Sequence, residues 1–109
     1  MRRGEVWTIA GGADFVGKPR PAIILQSDIF EAAPSVTVCP LTSDMVENFY
    51  ARFTLAPSAS NGLKVTSQAM VDKITTVPKF KVGRQIGRLD AADVARLNQH
   101  VILFLGLAE

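Results

Sequence analysis

The 109-residue chain is 48% hydrophobic and 20% charged, with a formal net charge of +2. That length fits one domain with its own core, and the composition excludes an intrinsically disordered chain. With so small a net charge, any affinity for phosphate must come from clustered cations, and no run approaches the ~18 consecutive apolar residues of a membrane span.

Residues 1–7 lack the long apolar segment of a signal peptide. The single cysteine, Cys39, lies in an apolar run, cannot form an internal disulfide and reads as a small packed hydrophobe. Both features point to the cytoplasm. Residues 5–10 alternate apolar with polar or small side chains and predict a half-buried strand. Gly11, Gly12, Asp14 and Gly17 make 11–18 a flexible loop, a flap ahead of the next strand.

That second strand is expected from about Arg20 to Ser27, over the apolar run 22–25. Arg20 stands between Pro19 and Pro21. Each proline fixes its own φ and pushes the preceding residue toward extended geometry. The backbone of Arg20 is therefore stiffened, while its side chain can reach outward. A rigidly placed guanidinium suits a phosphate, because its planar fork offers paired donors and keeps its charge. An arginine that merely pairs with a nearby carboxylate fits this stretch equally well.

Residues 28–33 predict one helical turn capped by Ser27 or Asp28 and ended by Pro34. The β-rich run 36–41 follows, with Pro40 expected to end it or to set it at an edge. Thr42-Ser43-Asp44 leaves as a polar loop. Residues 49–55 alternate again, with Phe49, Ala51, Phe53 and Leu55 on one face. Residues 57–62 are a turn cluster closing on Asn61-Gly62. Strands are expected at 64–71 and 84–89, with Pro78 punctuating between them. Asp90 is the predicted N-cap of a closing helix, with Asp93 at its third position and Leu89 and Val94 placed as a hydrophobic staple. Val94, Leu97, Val101 and Phe104 mark its buried stripe, and Gly106 its stop. The pattern predicts a mainly β domain: a small, strongly bent antiparallel sheet or barrel with a C-terminal helix.

The sequence carries no metal signature: His100 is the only histidine and Cys39 the only cysteine. No phosphate-binding glycine motif opens a helix, and a serine triad lacks a base. What remains is Arg20, the Thr42-Ser43 pair and Asp72. Arginine, hydroxyl and carboxylate suffice for metal-free cleavage of RNA, because the nucleophile is the substrate's own 2′-hydroxyl. The carboxylate can take that proton, the arginine can stabilise the phosphorane, and the hydroxyl can hold a non-bridging oxygen.

Arg3-Gly4-Glu5-Val6-Trp7, Gly17-Lys18-Pro19-Arg20-Pro21-Ala22-Ile23-Ile24-Leu25-Gln26, Val38-Cys39-Pro40-Leu41-Thr42-Ser43, Asn61-Gly62-Leu63, the stretch from Ser67 through Asp72 to Val77, and Ile86-Gly87-Arg88-Leu89 occur in this order. Together they resemble the MazF/PemK toxins of type II toxin–antitoxin systems. The resemblance implies a small SH3-like or PemK-type barrel acting as a homodimer. It also implies a sequence-specific, metal-independent endoribonuclease that cuts single-stranded RNA, mRNA included, leaving a 2′,3′-cyclic phosphate and a 5′-hydroxyl. No cofactor is implied. The partner is a cognate antitoxin, and any contact with DNA is indirect, through that antitoxin.

By the same resemblance the catalytic arginine falls on Arg20, the hydroxyl on Thr42 with Ser43 beside it, and the acidic base on Asp72. The PemK branch places a catalytic arginine two residues before that acid, where this chain has Met70. Charge stabilisation must then rest on Arg20 or a neighbour such as Lys73, and a structural turn acid is an equal reading of Asp72. Lys18 and Lys73 adjoin the expected site as RNA contacts. Phe15, an aromatic in a glycine-rich loop, can stack on a base. A non-enzymatic toxin of the same fold, like the gyrase poison CcdB, is the alternative, as is a barrel that only binds. The chain's close, Leu105-Gly106-Leu107-Ala108-Glu109, lacks the Trp-Gly-Ile of the gyrase poison.

Overall fold

The computed structural model describes residues 1–10, 18–47 and 49–108. Its elements are β1 (Glu5–Ile9), β2 (Arg20–Ile24), β3 (Ser35–Thr42), β4 (Arg52–Leu55), β5 (Ser67–Met70), β6 (Thr75–Pro78), β7 (Val82–Arg88) and α1 (Ala91–Phe104). The strands pair antiparallel in the order β4-β5-β3-β2-β1-β7, with β6 beside β3. The mainly β antiparallel architecture with a C-terminal helix is as the sequence predicts. Closure into a barrel is not: β4 and β7 end the path on opposite sides, and the sheet stays open.

Successive side chains on a strand point to opposite faces, and that alternation builds two cores. On one face Val6, Ile23, Cys39, Leu41 and Phe53 pack with Leu97 of α1, with Val94 and Val101 against them. On the other, Ile9, Ala22, Ile24, Val36 and Val38 pack together with Trp7 and Val77. The helix thus covers one face and leaves the second to its own side chains.

Several element boundaries differ from expectation for local reasons. Pro40 neither ends β3 nor marks an edge strand. β3 has β2 on one side, while on its other side β6 pairs residues 35–38 and β5 pairs residues 41–42. Pro40 falls in the gap between those two partners, where a missing N–H costs least. β4 begins only at Arg52, whose N–H donates to the Phe49 carbonyl at 3.0 Å. That turn leaves Phe49 outside the strand and exposed. β2 stops at Ile24, and Ser27 instead caps a 3₁₀ turn at Asp28–Phe30, accepting from the Ile29 N–H. Asp90 caps α1 as predicted, its carboxylate accepting from the Asp93 N–H at 2.8 Å. Leu97 is fully buried, but Phe104, a turn beyond Val101, is 46% exposed. No helix among the described residues is long and apolar enough to cross a membrane.

Candidate active site

The pairing of β2 with β3 decides what meets what. Ala22 is paired with Pro40, and Ile23 and Ile24 with Cys39 and Val38. Each step along one strand is a step back along the other, so continuing this register sets Arg20 opposite Thr42. Ala22 and Val38, which share their parity, belong to the core on the helix-free face. Directly opposed side chains have Cβ atoms about 4.5–5.5 Å apart. Arg20 and Thr42 accordingly line the same two cavities, together with Ser43 and Pro21.

The two cavities differ in character. One, of about 380 Å³, has a largely apolar lining of Ile9, Ala22, Val38, Leu41, Met70 and Val77, with Asp44 and Thr75 at its polar margin. The other, of about 370 Å³, is lined by Lys18, Lys64 and Arg84 as well as Arg20, with no carboxylate among its described lining residues. Thr42 stands between them with its hydroxyl oriented: Oγ1 accepts from the Asp44 N–H at 3.0 Å. An accepting hydroxyl keeps its own proton to donate.

Ser43 and Lys18 therefore join Arg20 and Thr42, whereas Asp72 and Lys73 line neither cavity. Asp72 Oδ1 and Oδ2 accept from Arg52 Nε and Nη2 at 2.9 and 3.2 Å. This bidentate bond holds the carboxyl below its ordinary range, against the opposing effect of burial. Arg52 is thus engaged within the fold; its side chain is only 9% exposed. Phe15 lies outside the described residues. His100 is also remote from Arg20: its ring stacks on Phe53 at 4.9 Å between centroids, and Nδ1 donates to the Tyr50 carbonyl. Burial pushes the Cys39 thiol up to about 12, so it stays protonated and inert. Among the described residues no three His, Cys, Asp or Glu side chains group to hold a metal ion.

Sequence reasoning passed over Thr75, Met70 and Asp44 as site residues. The signal for Asp44 was adjacency to Thr42-Ser43. Thr75 becomes legible only once β6 is paired with β3, which sets it opposite Val38.

A family profile described as PemK-like, MazF-like toxin of type II toxin–antitoxin system matches residues 2–105. The chain is 40% identical over 108 residues to a probable endoribonuclease MazF of Mycolicibacterium smegmatis, covering 99% of each chain. It is 31% identical over 117 residues to endoribonuclease MazF9 of Mycobacterium tuberculosis, covering 98% of each. In fold it is similar to an endoribonuclease from a mycobacterial species solved in complex with its cognate antitoxin. The TM-score there is 0.83 at 21% identity, covering 100% of this chain and 98% of that one.

Proposed function

The chain belongs to the family of PemK-like, MazF-like toxins of type II toxin–antitoxin systems, and from that premise we propose that it is a sequence-specific endoribonuclease. Its substrate is single-stranded RNA, mRNA included, and the cleavage needs no metal. One observation carries this reading: Arg20 and Thr42 line the same two cavities. A phosphodiester seated between them has a fixed cation on one side and a hydroxyl donor on the other.

The substrate's 2′-oxygen attacks the adjacent phosphorus, and the bond from phosphorus to the 5′-oxygen breaks. The products are a 2′,3′-cyclic phosphate and a 5′-hydroxyl. The 2′-hydroxyl proton passes to water at the open cavity mouth, and water returns one to the leaving 5′-oxygen. Arg20 stabilises charge on the phosphorane, and Thr42, with Ser43 beside it, donates to a non-bridging oxygen. Lys18, Lys64 and Arg84 hold the flanking backbone. Asp72 is left out of the chemistry, because it lines neither cavity and its carboxylate is paired with Arg52.

The protein acts in the cytoplasm as a homodimer, restrained by a cognate antitoxin through which alone it meets DNA. Purified protein incubated with a pool of single-stranded transcripts in EDTA tests the reading. Fragments ending in cyclic phosphate and 5′-hydroxyl are expected, and RNA left intact across many sequences would remove it. In light scattering, a monomer mass at micromolar concentration would remove the dimer.

A further inference from the structure

The two cavities that meet at Arg20 and Thr42 suit different parts of a nucleotide. The basic one is a track for phosphates. The other has apolar walls and a small number of polar groups, which is how a cavity accepts a flat heteroaromatic ring and fixes its orientation. Among its described lining residues the single carboxylate is Asp44. Beside an arginine clamp a carboxylate repels phosphate, so what it can hold is a hydrogen-bond donor. The Asp44 N–H is tied to Thr42 Oγ1 at 3.0 Å, which holds the Asp44 backbone beside Thr42. Its carboxylate makes no hydrogen bond or ion pair with any described residue.

We infer that the apolar cavity binds the base next to the cut bond, and that Asp44 reads its edge as a specificity-determining residue. This rests on the endoribonuclease reading above and adds the identity of the base. An ionised carboxylate only accepts hydrogen bonds. Guanine presents two adjacent donors, N1–H and the N2 amino group, which match the two oxygens of a carboxylate. Adenine and cytosine present an amino donor beside an acceptor. Uracil presents one donor flanked by two carbonyls that face a carboxylate unfavourably. The preference runs guanine first, adenine and cytosine next, uracil last.

Asp44→Asn keeps the shape and replaces one acceptor oxygen with a donor. Cut sites would be mapped on a transcript pool, in EDTA, by sequencing the 5′-hydroxyl ends. Wild type is expected to favour guanine over uracil at one position beside the cut bond. Asp44→Asn should narrow that preference by about 5- to 150-fold, the usual worth of a bidentate base contact. A preference unchanged in the variant, or activity that falls equally at every site, would overturn the inference while leaving the nuclease intact. Wild type that cuts nothing overturns the nuclease itself. A binding arm then judges the cavity separately, using labelled single-stranded DNA octamers of deoxyuridine with one guanine moved along them. These lack the 2′-hydroxyl and are not cut. Tighter binding of a guanine-bearing octamer that Asp44→Asn abolishes supports the assignment, and equal binding of all octamers by wild type refutes it.

Discussion

At the scale of single residues, Arg20 and Asp72 are separated by what each one faces. Arg20 lines both cavities of the proposed site, while Asp72 is bound within the fold. Arg20→Ala should lower the cleavage rate by ~10²–10³, the usual effect of losing one charge-stabilising donor. Undiminished cutting in that variant would place the chemistry elsewhere. Asp72→Asn should do the reverse: cleavage persists, but stability falls by about 2 kcal/mol as a charged hydrogen bond is lost to a poorly exposed arginine. The pH dependence follows from the sign of the shift. Arg52 holds the folded-state carboxyl below its ordinary value of 3.8. The pair's contribution is therefore complete above that value and is lost as pH falls through the lower one. Melting temperatures measured from pH 7 down to pH 2 should drop more steeply in the acid range for wild type than for Asp72→Asn. Parallel curves would show that the pair contributes nothing.

At the scale of elements, the site follows from strand parity. Ala22 and Val38 share a face because alternation and register require it, and Arg20 and Thr42 keep the same parity at the ends of their strands. Much of this was legible in the sequence: the apolar run at 22–25, the flanking prolines and the Asp90 cap all act through neighbours in the chain. What stayed hidden depended on partners far away in sequence. Pro40 is tolerated only because β5 and β6 share one side of β3, and no local signal announces that gap. Asp72 reads equally as a base or as a structural turn acid in the sequence, and only its pairing with Arg52, 20 residues earlier, separates the two. The turn at Asn61-Gly62 was legible in kind but not in consequence. Gly62 has φ +69°, and a Cβ there would sit 1.9 Å from the Ile86 carbonyl oxygen. Gly62→Ala should therefore cost more than the ~1–2 kcal/mol of a left-handed alanine, because backbone of β7 must also move. Urea denaturation should show a lower midpoint with an unchanged slope, and a midpoint equal to wild type would contradict the close approach.

At the scale of the whole molecule, the net charge of +2 understates what an RNA strand would meet. Lys18, Arg20, Lys64 and Arg84 line one cavity, whereas Lys73 and Lys79 line neither of the two at the proposed site. Lys79 is also engaged, its Nζ donating to the Glu31 carbonyl. Binding is set by the phosphates actually neutralised, and for single strands the slope of log affinity against log salt is about −0.7 per phosphate. Four cations on a common track give a slope of about −3 for a 2′-O-methyl RNA, which cannot be cut. Replacing Lys64 and Arg84 together by glutamine should roughly halve that slope and weaken binding similarly for every sequence. Replacing Lys73 and Lys79 should leave the slope as it was. Both double variants remove the same two charges from the molecule, so only position distinguishes them. If the two slopes changed equally, the molecule would be binding RNA through its overall charge, and the basic cavity would lose its claim to the backbone.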